Sequence, residues 1–407
     1  MQAQEITPHL FRTEYSKIVA VLSKTFNLKH IEIAEDIAAD TFLKASETWA
    51  LKGVPENPTA WLYTVAKNKT KDYFKRLNTF ENRVKQQVIA DEELVLQEIN
   101  FDRQVIADSQ LAMIFAVCNP ANSSEAQICL ALQILCGFSV REIAGAFLTK
   151  TETIKKRLQR AREVLRNDEF EVRTPNKAEV ADRLPSVLTT LYLLFNEGYF
   201  SKSPDSYIRK DLCDEAMRLL WLLIENPLTN NSETHALMAL MCFQSSRANA
   251  RVNADAEVVL LEDQDKSNWD QTLIEQGNRH LINAFENGDI SKYHLEASIA
   301  YWHTAPDPKN KWQNILMMYD SLLLIESSPV AALNRVFAYA KVNGNESAIA
   351  EAEKLNITGN AQYHALLGYL FTGIDVSEAI RHYQLAVDLS ASNTEKRQLN
   401  KAIARLS

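Results

Sequence analysis

The sequence predicts an all-α protein. Its 407 residues include only 10 glycines and 11 prolines, so few positions interrupt a helix. Leucine, alanine, glutamate, lysine and glutamine, which favour helices, are abundant, and no alternating apolar run bounded by hairpin turns indicates a strand. The sequence also has no glycine-rich phosphate loop and no dinucleotide fingerprint. A sheet-based nucleotide fold is therefore not expected.

Charge is distributed unevenly along the chain. Residues 1–170 carry 22 basic and 22 acidic side chains, whereas residues 171–407 carry 22 and 30, so the net charge of −8 lies in the C-terminal part. Contact with nucleic acid is expected only upstream of that part. The five cysteines lack paired metal-ligand spacing, and no metal or cofactor is expected. No apolar run is long enough to span a bilayer, so we predict a cytoplasmic protein without a membrane partner.

Residues 8–78 are predicted to form a compact helical domain. Its second helix, about 33–49, has an apolar stripe of Ala38, Phe42, Ala45 and Trp49. Its last helix, about 59–76, carries a net charge of +4 over residues 61–76. Cations interleaved with aromatic rings suit single-stranded nucleic acid, because bases stack on the rings while the cations follow the backbone. A solvated amphipathic helix with a structural tryptophan is the alternative. The nucleic-acid interpretation names Trp61, Lys67, Asn68, Lys71 and Lys75.

Residues 79–120 are predicted to form an acidic, flexible linker. Its acidic residues are Asp91, Glu92, Glu93, Glu98, Asp102 and Asp108. Helical periodicity is only partial around 94–106. Fully extended, such a segment spans on the order of 140 Å. This length covers two DNA sites separated by one or two duplex turns of roughly 35 Å each.

Residues 121–168 are predicted to form a helix-turn-helix domain. Two capping boxes, Ser139 to Glu142 and Thr149 to Glu152, predict a short helix near 140–146 and a longer one near 150–166. In the longer helix Ile154, Leu158, Ala161 and Leu165 form one apolar stripe. A preceding helix is expected at about 125–136, after Asn122 and Ser123.

The opposite face of the longer helix is cationic. Residues 150–166 have seven basic and two acidic side chains, a net charge of +5. A solvated face is the alternative, but the two boxes and the apolar stripe favour DNA binding. Lys155, Lys156 and Gln159 are predicted to reach base edges, and Glu152 to accept from a cytosine amino group. Phosphate contacts are predicted for Arg157, Arg160 and Arg162.

After a second polar linker, near 169–182, residues 185–407 are predicted to form a series of helices. Residues 329–355 and 363–389 resemble degenerate tetratricopeptide (TPR) units, which more often bind protein than perform chemistry. Asp263, Asp265 and Asp270 do not fit a calcium loop and are expected to cap a helix or to pair with a basic group. Gly198 is expected at a helix C-cap.

Three motifs in order resemble the extracytoplasmic-function (ECF) sigma factors, a small type of bacterial transcription initiation factor. Residues 34–42 resemble the polymerase-docking helix of sigma region 2. Residues 137–162 resemble the helix-turn-helix of region 4. The densest match, to the promoter-melting segment, is Ala60-Trp61-Leu62-Tyr63-Thr64-Val65-Ala66-Lys67-Asn68. Residues 191–199, 260–270 and 328–335 further resemble a subgroup with a TPR-like C-terminal extension.

The resemblance implies a non-enzymatic factor that binds core RNA polymerase and promoter DNA. Glu35, Asp36 and Asp40 would dock the polymerase clamp, and the five residues of the 59–76 helix would engage the opened −10 element. The −35 element would be read by Thr151, Glu152, Lys155, Lys156, Arg157, Gln159 and Arg160. The extension would act as a regulatory module with a protein partner of its own.

Two other functions agree with parts of the sequence. A helix-turn-helix repressor with a helical sensor domain would bind a palindromic operator as a dimer, but it leaves the cationic helix at 59–76 without a role. A repeat-based adaptor or enzyme would not depend on Lys155 and Lys156. The sigma-factor interpretation accounts for all the motifs together.

Overall fold

A computed structural model describes residues 3–26, 31–81, 99–147, 149–167, 175–200, 208–252, 259–286, 289–306, 309–390 and 393–406. Contacts between Cα atoms group the chain into two compact units, residues 1–230 and 231–407. Within the described ranges the regular structure is helical and no residue lies in a β-strand. The predicted all-α fold is confirmed. No helix in these ranges is long and apolar enough to cross a bilayer.

The first unit opens with three helices, α1 (Ala3–Phe26), α2 (Ile31–Lys52) and α3 (Pro58–Glu81). The predicted stripe of α2 faces the core: Ala38, Phe42, Ala45 and Trp49 are all buried. From α3, Leu62 and Ala66 are buried at the spacing of one helical turn. Three amphipathic helices thus enclose one apolar core and leave the charged faces of α2 and α3 outside.

Helix α4 (Arg103–Val117) lies within the segment predicted to be a flexible linker. This part of the prediction is wrong, because every residue from Ser109 to Val117 is buried. The apolar run 111–117 is covered on several sides, since α4 packs against α1 and against the two helices that follow residue 175. The acidic residues at 91–93 and 98 lie outside the described residues.

The predicted helix-turn-helix is present, with α5 (Ser124–Leu130), a π-helical continuation (Ala131–Leu135), α6 (Val140–Ala146) and α7 (Thr151–Asn167). The Ser139 box is complete: Oγ accepts from the Glu142 N–H at 3.2 Å, and the Glu142 carboxylate accepts from the Ser139 N–H at 2.8 Å. The predicted stripe of α7 is buried against α5 and α6.

The second predicted capping box is not formed, because the Thr149 N–H donates to the Ala144 carbonyl and not to Glu152. Because the Lys150 carbonyl accepts from the Ile154 N–H, α7 begins at Thr151 and Glu152 stands at the second helical position rather than the third. The Glu152 carboxylate instead accepts from Lys155 Nζ at 2.8 Å.

Two helices complete the first unit, α8 (Lys177–Tyr199) and α9 (Lys210–Glu225). They pack on each other, and α8 also packs on α5. The helical extension therefore begins eight residues before the predicted position 185, and its first two helices share a unit with the helix-turn-helix. Gly198 lies in the last turn of α8 and is not its C-cap, which is Phe200.

The second unit contains the remaining helices of the described chain. Two of them pair closely where Gly368 of one meets the ring of Tyr383 of the other. The stretches predicted as repeat units each contain a helix pair, and an apolar cluster that includes Leu333, Val336 and Leu367 joins the first pair to the first helix of the second. The helices are α10 (Ser232–Ser246), α11 (Gln271–Ala284), α12 (Lys292–Thr304), α13 (Lys311–Ile325), α14 (Pro329–Asn343), α15 (Asn345–Glu353), α16 (Ala361–Phe371), α17 (Val376–Leu389) and α18 (Asn393–Leu406).

Candidate nucleic-acid and polymerase-binding surfaces

Helix α7 presents an exposed polar face opposite its buried stripe. Thr151, Glu152, Lys156, Gln159 and Arg160 are exposed, and the Lys155 side chain is 57% exposed. Lys155 pairs with Glu152, and this hydrogen bond lowers the pKa of the Glu152 carboxyl. The face therefore offers ammonium, guanidinium and amide donors together with one carboxylate acceptor, the groups that contact base edges and phosphates in a major groove.

Arg157 differs from its neighbours on α7 because it is half-buried. Its guanidinium carbon lies 6.0 Å from the centre of the Phe147 ring, and Nη1 lies 3.9 Å from Cys129 Sγ. These contacts fix the guanidinium at the junction of α5, α6 and α7. Its charge remains at the edge of the exposed face.

Arg162 is not placed to contact phosphate as predicted. Its Nη1 and Nη2 donate to the two carboxylate oxygens of Glu35 on α2, at 2.6 and 2.8 Å, and Nη2 also donates to Gln133 Oε1 at 2.9 Å. Burial acts to lower the pKa of Arg162, but the hydrogen bond and charge of Glu35, with Glu32 nearby, outweigh burial and raise it. Arg166 lies 3.5 Å from Glu32.

Helix α3 carries the residues predicted for the −10 element. Asn68 and Lys75 are exposed, and Trp61 and Lys71 are half-buried. The Trp61 ring lies against that of Trp49, with centroids 5.4 Å apart. Lys67 Nζ donates to the Ile99 carbonyl at 2.9 Å, so this lysine holds the chain that leads into α4. These five residues share one helix, but only part of their surface faces solvent.

Tyr63 joins α3 to the rest of the domain. Its hydroxyl donates to Glu14 on α1 at 2.5 Å, and its ring stacks on Phe101 with centroids 4.5 Å apart. Burial, followed by the bond to Glu14, raises the pKa of the Tyr63 hydroxyl. The inner side of the predicted −10 helix is therefore tied to α1 and to the segment before α4.

The residues predicted for polymerase docking lie on α2. Asp36 and Asp40 are exposed, and Asp40 pairs with Lys69 at 3.2 Å. Glu35 is 13% exposed, and its carboxylate forms an ion pair with Arg162. Sequence reasoning missed Leu43, an apolar side chain 59% exposed on the same helix. The sequence did contain a signal for this residue. Leu43 is an apolar residue that lies outside the apolar stripe of α2 and only three residues from Asp40, so it could have been predicted on the docking surface.

Carboxylates of the second unit act as helix caps, as predicted for two of them. Asp270 accepts from the Leu273 N–H at 3.1 Å at the start of α11. Asp265 accepts from the Ser267 N–H at 2.9 Å, and the side-chain and backbone bonds from Ser267 lower its pKa. Across the ranges that the structure describes, no group of three or more histidine, cysteine or carboxylate side chains is placed to hold a metal ion.

An uncharacterised protein of Rhizobium meliloti (strain 1021) is 32% identical to this chain over 374 residues, which is 90% of this chain and 88% of that protein. The chain belongs to the same family as that protein. Residues 183–285 match a family of unknown function, DUF6596. This match begins in α8 and ends just after α11. No solved structure matches the chain.

Residues 10–79 match the family Sigma-70 region 2. The match runs through α1, α2 and α3, and so includes both the predicted docking helix and the predicted −10 helix. It supports a sigma-factor role in transcription initiation, with core RNA polymerase and promoter DNA as partners. Sigma factors are DNA-binding initiation factors and not enzymes, which agrees with the prediction that this chain is not an enzyme.

Proposed function

We propose that the chain is a cytoplasmic sigma factor of the ECF type. It binds core RNA polymerase and directs initiation at specific promoters, with region 2 at residues 8–78 and region 4 at residues 121–168. The observation that carries this proposal is the Sigma-70 region 2 match over α1 to α3, followed in the same unit by a helix-turn-helix with an exposed cationic face.

In region 2, Asp36 and Asp40 of α2 contact basic groups of the polymerase clamp. Glu35 is a third contact once its ion pair with Arg162 is broken. Their location on one helix of the matched segment supports this role. The opened −10 strand lies along α3. There Trp61 stacks on a base while Lys67, Asn68, Lys71 and Lys75 contact the strand.

In region 4, the N-terminal half of α7 enters the major groove of the −35 element. Lys155, Lys156 and Gln159 read base edges, and Glu152 accepts from a cytosine amino group. Thr151, Arg157 and Arg160 contact the phosphates that flank these bases. The exposure of this face and its net positive charge support the assignment.

The extension, predicted at 185–407, is a TPR-like regulatory module that takes a protein partner. The helix pairs of the second unit support a repeat architecture, and stacked helix pairs commonly bind protein. The packing of α8 on α5 supports a direct influence of the extension on region 4.

Transcription from a randomised promoter library tests this proposal. The full chain is incubated with core polymerase that lacks its own sigma subunit, and the transcripts are sequenced. We expect enriched promoters with two conserved elements, and no enrichment with core polymerase alone. Tight binding to a palindromic operator without polymerase, together with a lack of specific transcripts, would instead identify a repressor.

A further inference from the structure

One lysine of the second unit is held by three aromatic rings. Lys341 Nζ, near the end of α14, lies 5.0, 5.5 and 5.7 Å from the ring centres of Phe337, Tyr369 and Trp312 respectively. It also donates to the Tyr369 hydroxyl at 2.9 Å. The negative faces of such rings attract a cation. The ammonium is therefore fixed in position where α13, α14 and α16 meet.

A carboxylate from a distant part of the same unit contacts this ammonium. Glu262 Oε1 lies 2.8 Å from Lys341 Nζ, and the two side chains are 53% and 24% exposed. Burial acts to lower the pKa of Lys341, but the bonds to Glu262 and Tyr369 outweigh burial and raise that pKa. The lysine therefore stays charged, and its carboxylate partner is the more exposed of the two.

Further basic groups lie around the Trp312 ring. Lys311 Nζ is 5.6 Å from the centre of this ring, and the His303 ring of α12 packs edge-on against it at 5.7 Å. Burial, followed by the charges of Lys311 and Arg247, lowers the pKa of His303, so both cations lie near this imidazole. Within the described ranges, Arg247 Nε is buried without a hydrogen-bond partner. Positive charge thus collects around an aromatic surface, an arrangement that suits an anionic ligand.

Glu262 can leave the ammonium without unfolding the segment that carries it. The Asp270 N–H at the end of this segment donates to the Ser246 carbonyl at 2.8 Å. The side chains of Gln264 and Trp269 are buried. None of these contacts involves the half-exposed Glu262 side chain. A second carboxylate is therefore able to replace it at the ammonium while the segment stays in place.

The chemistry of the site favours an acidic peptide over nucleic acid. The group that already contacts Lys341 is a protein carboxylate, the first in the run Glu262-Asp263-Gln264-Asp265. Residues 171–407 carry 30 acidic and 22 basic side chains, so this part of the chain repels a phosphate backbone with a charge at every nucleotide. A short acidic segment brings fewer charges and needs only local pairs.

We propose that the Lys341 ammonium, held by its three rings, binds a carboxylate in an acidic segment of a protein partner. In the free chain Glu262 occupies this site, and the carboxylate of the partner takes its place. The proposal rests on the proposed function for the existence of a protein partner of the extension. The site itself lies within the second unit, so it is testable without polymerase or DNA.

Fluorescence anisotropy of a labelled peptide tests the site in the full-length chain. The probe is a short blocked peptide with a run of glutamates, and the control peptide carries glutamines in their place. Three forms of the chain are compared: native, Glu262→Gln, and Glu262→Gln with Lys341→Met. The matched control is Glu262→Gln with Lys354→Met, which removes a lysine of the same unit that pairs with Glu351.

We expect Glu262→Gln to bind the glutamate peptide about 10-fold more tightly than the native chain, because the competing carboxylate is gone. Adding Lys341→Met should weaken this binding by about 10-fold, the factor for one lost hydrogen bond to a charged group. Adding Lys354→Met should leave it unchanged. The glutamine peptide should bind Glu262→Gln at least about 10-fold more weakly than the glutamate peptide.

Equal binding of the glutamate peptide with and without Lys341→Met would overturn the site, as would equal binding of the two peptides. The absence of binding to Glu262→Gln up to about 1 mM peptide would overturn it as well. If Lys341→Met does not fold, Tyr369→Phe takes its place, since it keeps the ring and removes the hydroxyl that accepts from Nζ. It should weaken binding about 3- to 10-fold, and unchanged binding would again overturn the site.

Labelled oligothymidylate is tested on the same variants. Binding of this probe that depends on Lys341, without binding of the glutamate peptide, would identify nucleic acid as the ligand and overturn the peptide assignment. The peptide ratios do not depend on transcription, so failure of the promoter-library experiment would leave them unchanged. Loss of peptide binding alone would remove this site and leave the sigma-factor proposal standing.

Discussion

The basic side chains of α7 divide into two classes by what they contact. Lys156 and Arg160 are exposed, and Lys155 pairs with Glu152 at the surface. Arg162 is buried in a pair with Glu35, and Arg166 lies beside Glu32. A count of positive charge along the helix treats these residues alike. Their surroundings leave the first class available for the proposed contact with DNA, whereas the second class contacts the protein itself.

Replacing Lys155 and Lys156 together by alanine tests the first class. Two fewer ammonium groups near phosphate should weaken promoter binding by the holoenzyme and lower the slope of log affinity against log salt by about 1 to 2. The measurement is a salt titration of promoter affinity. Lys396→Ala with Lys401→Ala, two lysines of α18, removes the same charge in the acidic part of the chain. An identical slope in both double variants would contradict the assignment of the recognition face.

Two histidines of the second unit predict an acid-sensitive stability. Burial, followed by the neighbouring His235, lowers the pKa of His280 to about 4. Burial, with Lys311 and Arg247 nearby, lowers that of His303 to about 3. Since unfolding restores a pKa near 6.5, the unfolded chain binds more protons below that pH. The histidine contribution to stability is therefore full above pH 6.5 and is lost as the pH falls toward 4.

Denaturant unfolding at pH 7 and pH 5 measures this effect. The free energy of unfolding of the second unit should fall by about 1 to 3 kcal/mol, allowing for partial solvent screening of His280. The change should be smaller in the double variant His280→Gln with His303→Gln. Equal pH dependence in the native chain and this variant would show that neither histidine is responsible.

At the scale of elements, close approach of helices depends on single glycines. A Cβ at Gly198 of α8 would lie 2.8 Å from the Arg209 carbonyl oxygen and 2.9 Å from both Cys213 Sγ and Leu212 Cβ. The pair α8 and α9 therefore packs at a distance that only glycine permits. Gly145 of α6 has no atom within 4 Å of the corresponding position. The two positions form a matched comparison.

Gly198→Ala should lower the free energy of unfolding of the first unit by about 1 to 3 kcal/mol, because α9 must move away. Gly145→Ala should be neutral or stabilising by up to about 1 kcal/mol, because alanine restricts the unfolded chain. Thermal or denaturant unfolding of the two variants provides the comparison. A stable Gly198→Ala protein would mean that α8 and α9 do not pack this closely.

Local sequence signals predicted the helix-turn-helix well and the linker poorly. The Ser139 capping box and the stripe from Ile154 to Leu165 depend on residues a few positions apart, so sequence contained the information. The burial of α4 depends on α1, α8 and α9, which are distant in the chain. Its acidic average also concealed the apolar run 111–117. The pairing of Arg162 with Glu35 likewise had no local signal.

At the scale of the whole molecule, the helical extension begins inside the unit that holds the helix-turn-helix. Arg183 of α8 donates to the Phe115 carbonyl at 2.6 Å, and Arg218 of α9 donates to the Leu135 carbonyl at 2.8 Å. Both carbonyls lie at helix ends, where the helix itself supplies no donor. Thr190 of α8 also donates to Gln127 on α5 at 2.7 Å. The two helices thus complete the core of the first unit.

Truncation at two positions tests whether α8 and α9 support the fold of the first unit. A chain of residues 1–230 should unfold with the stability of the intact first unit, since it keeps α8 and α9. A chain of residues 1–184 should lose at least about 3 kcal/mol, because it uncovers apolar side chains of α4 and α5 worth about 1.5 to 3 kcal/mol each. Unfolding curves followed by circular dichroism give both values. Equal stability of the two fragments would contradict the support by the extension.

The central claim is tested most directly by the affinity of the purified full chain for bacterial core RNA polymerase that lacks its sigma subunit. We predict a saturable one-to-one complex, weakened about 10-fold or more by Asp36→Lys with Asp40→Lys, since both charges then repel the basic docking groups. Glu346→Lys, an exposed acidic residue of α15, should leave the affinity unchanged. The absence of a complex, or a complex equally tight in the double variant, would contradict the account.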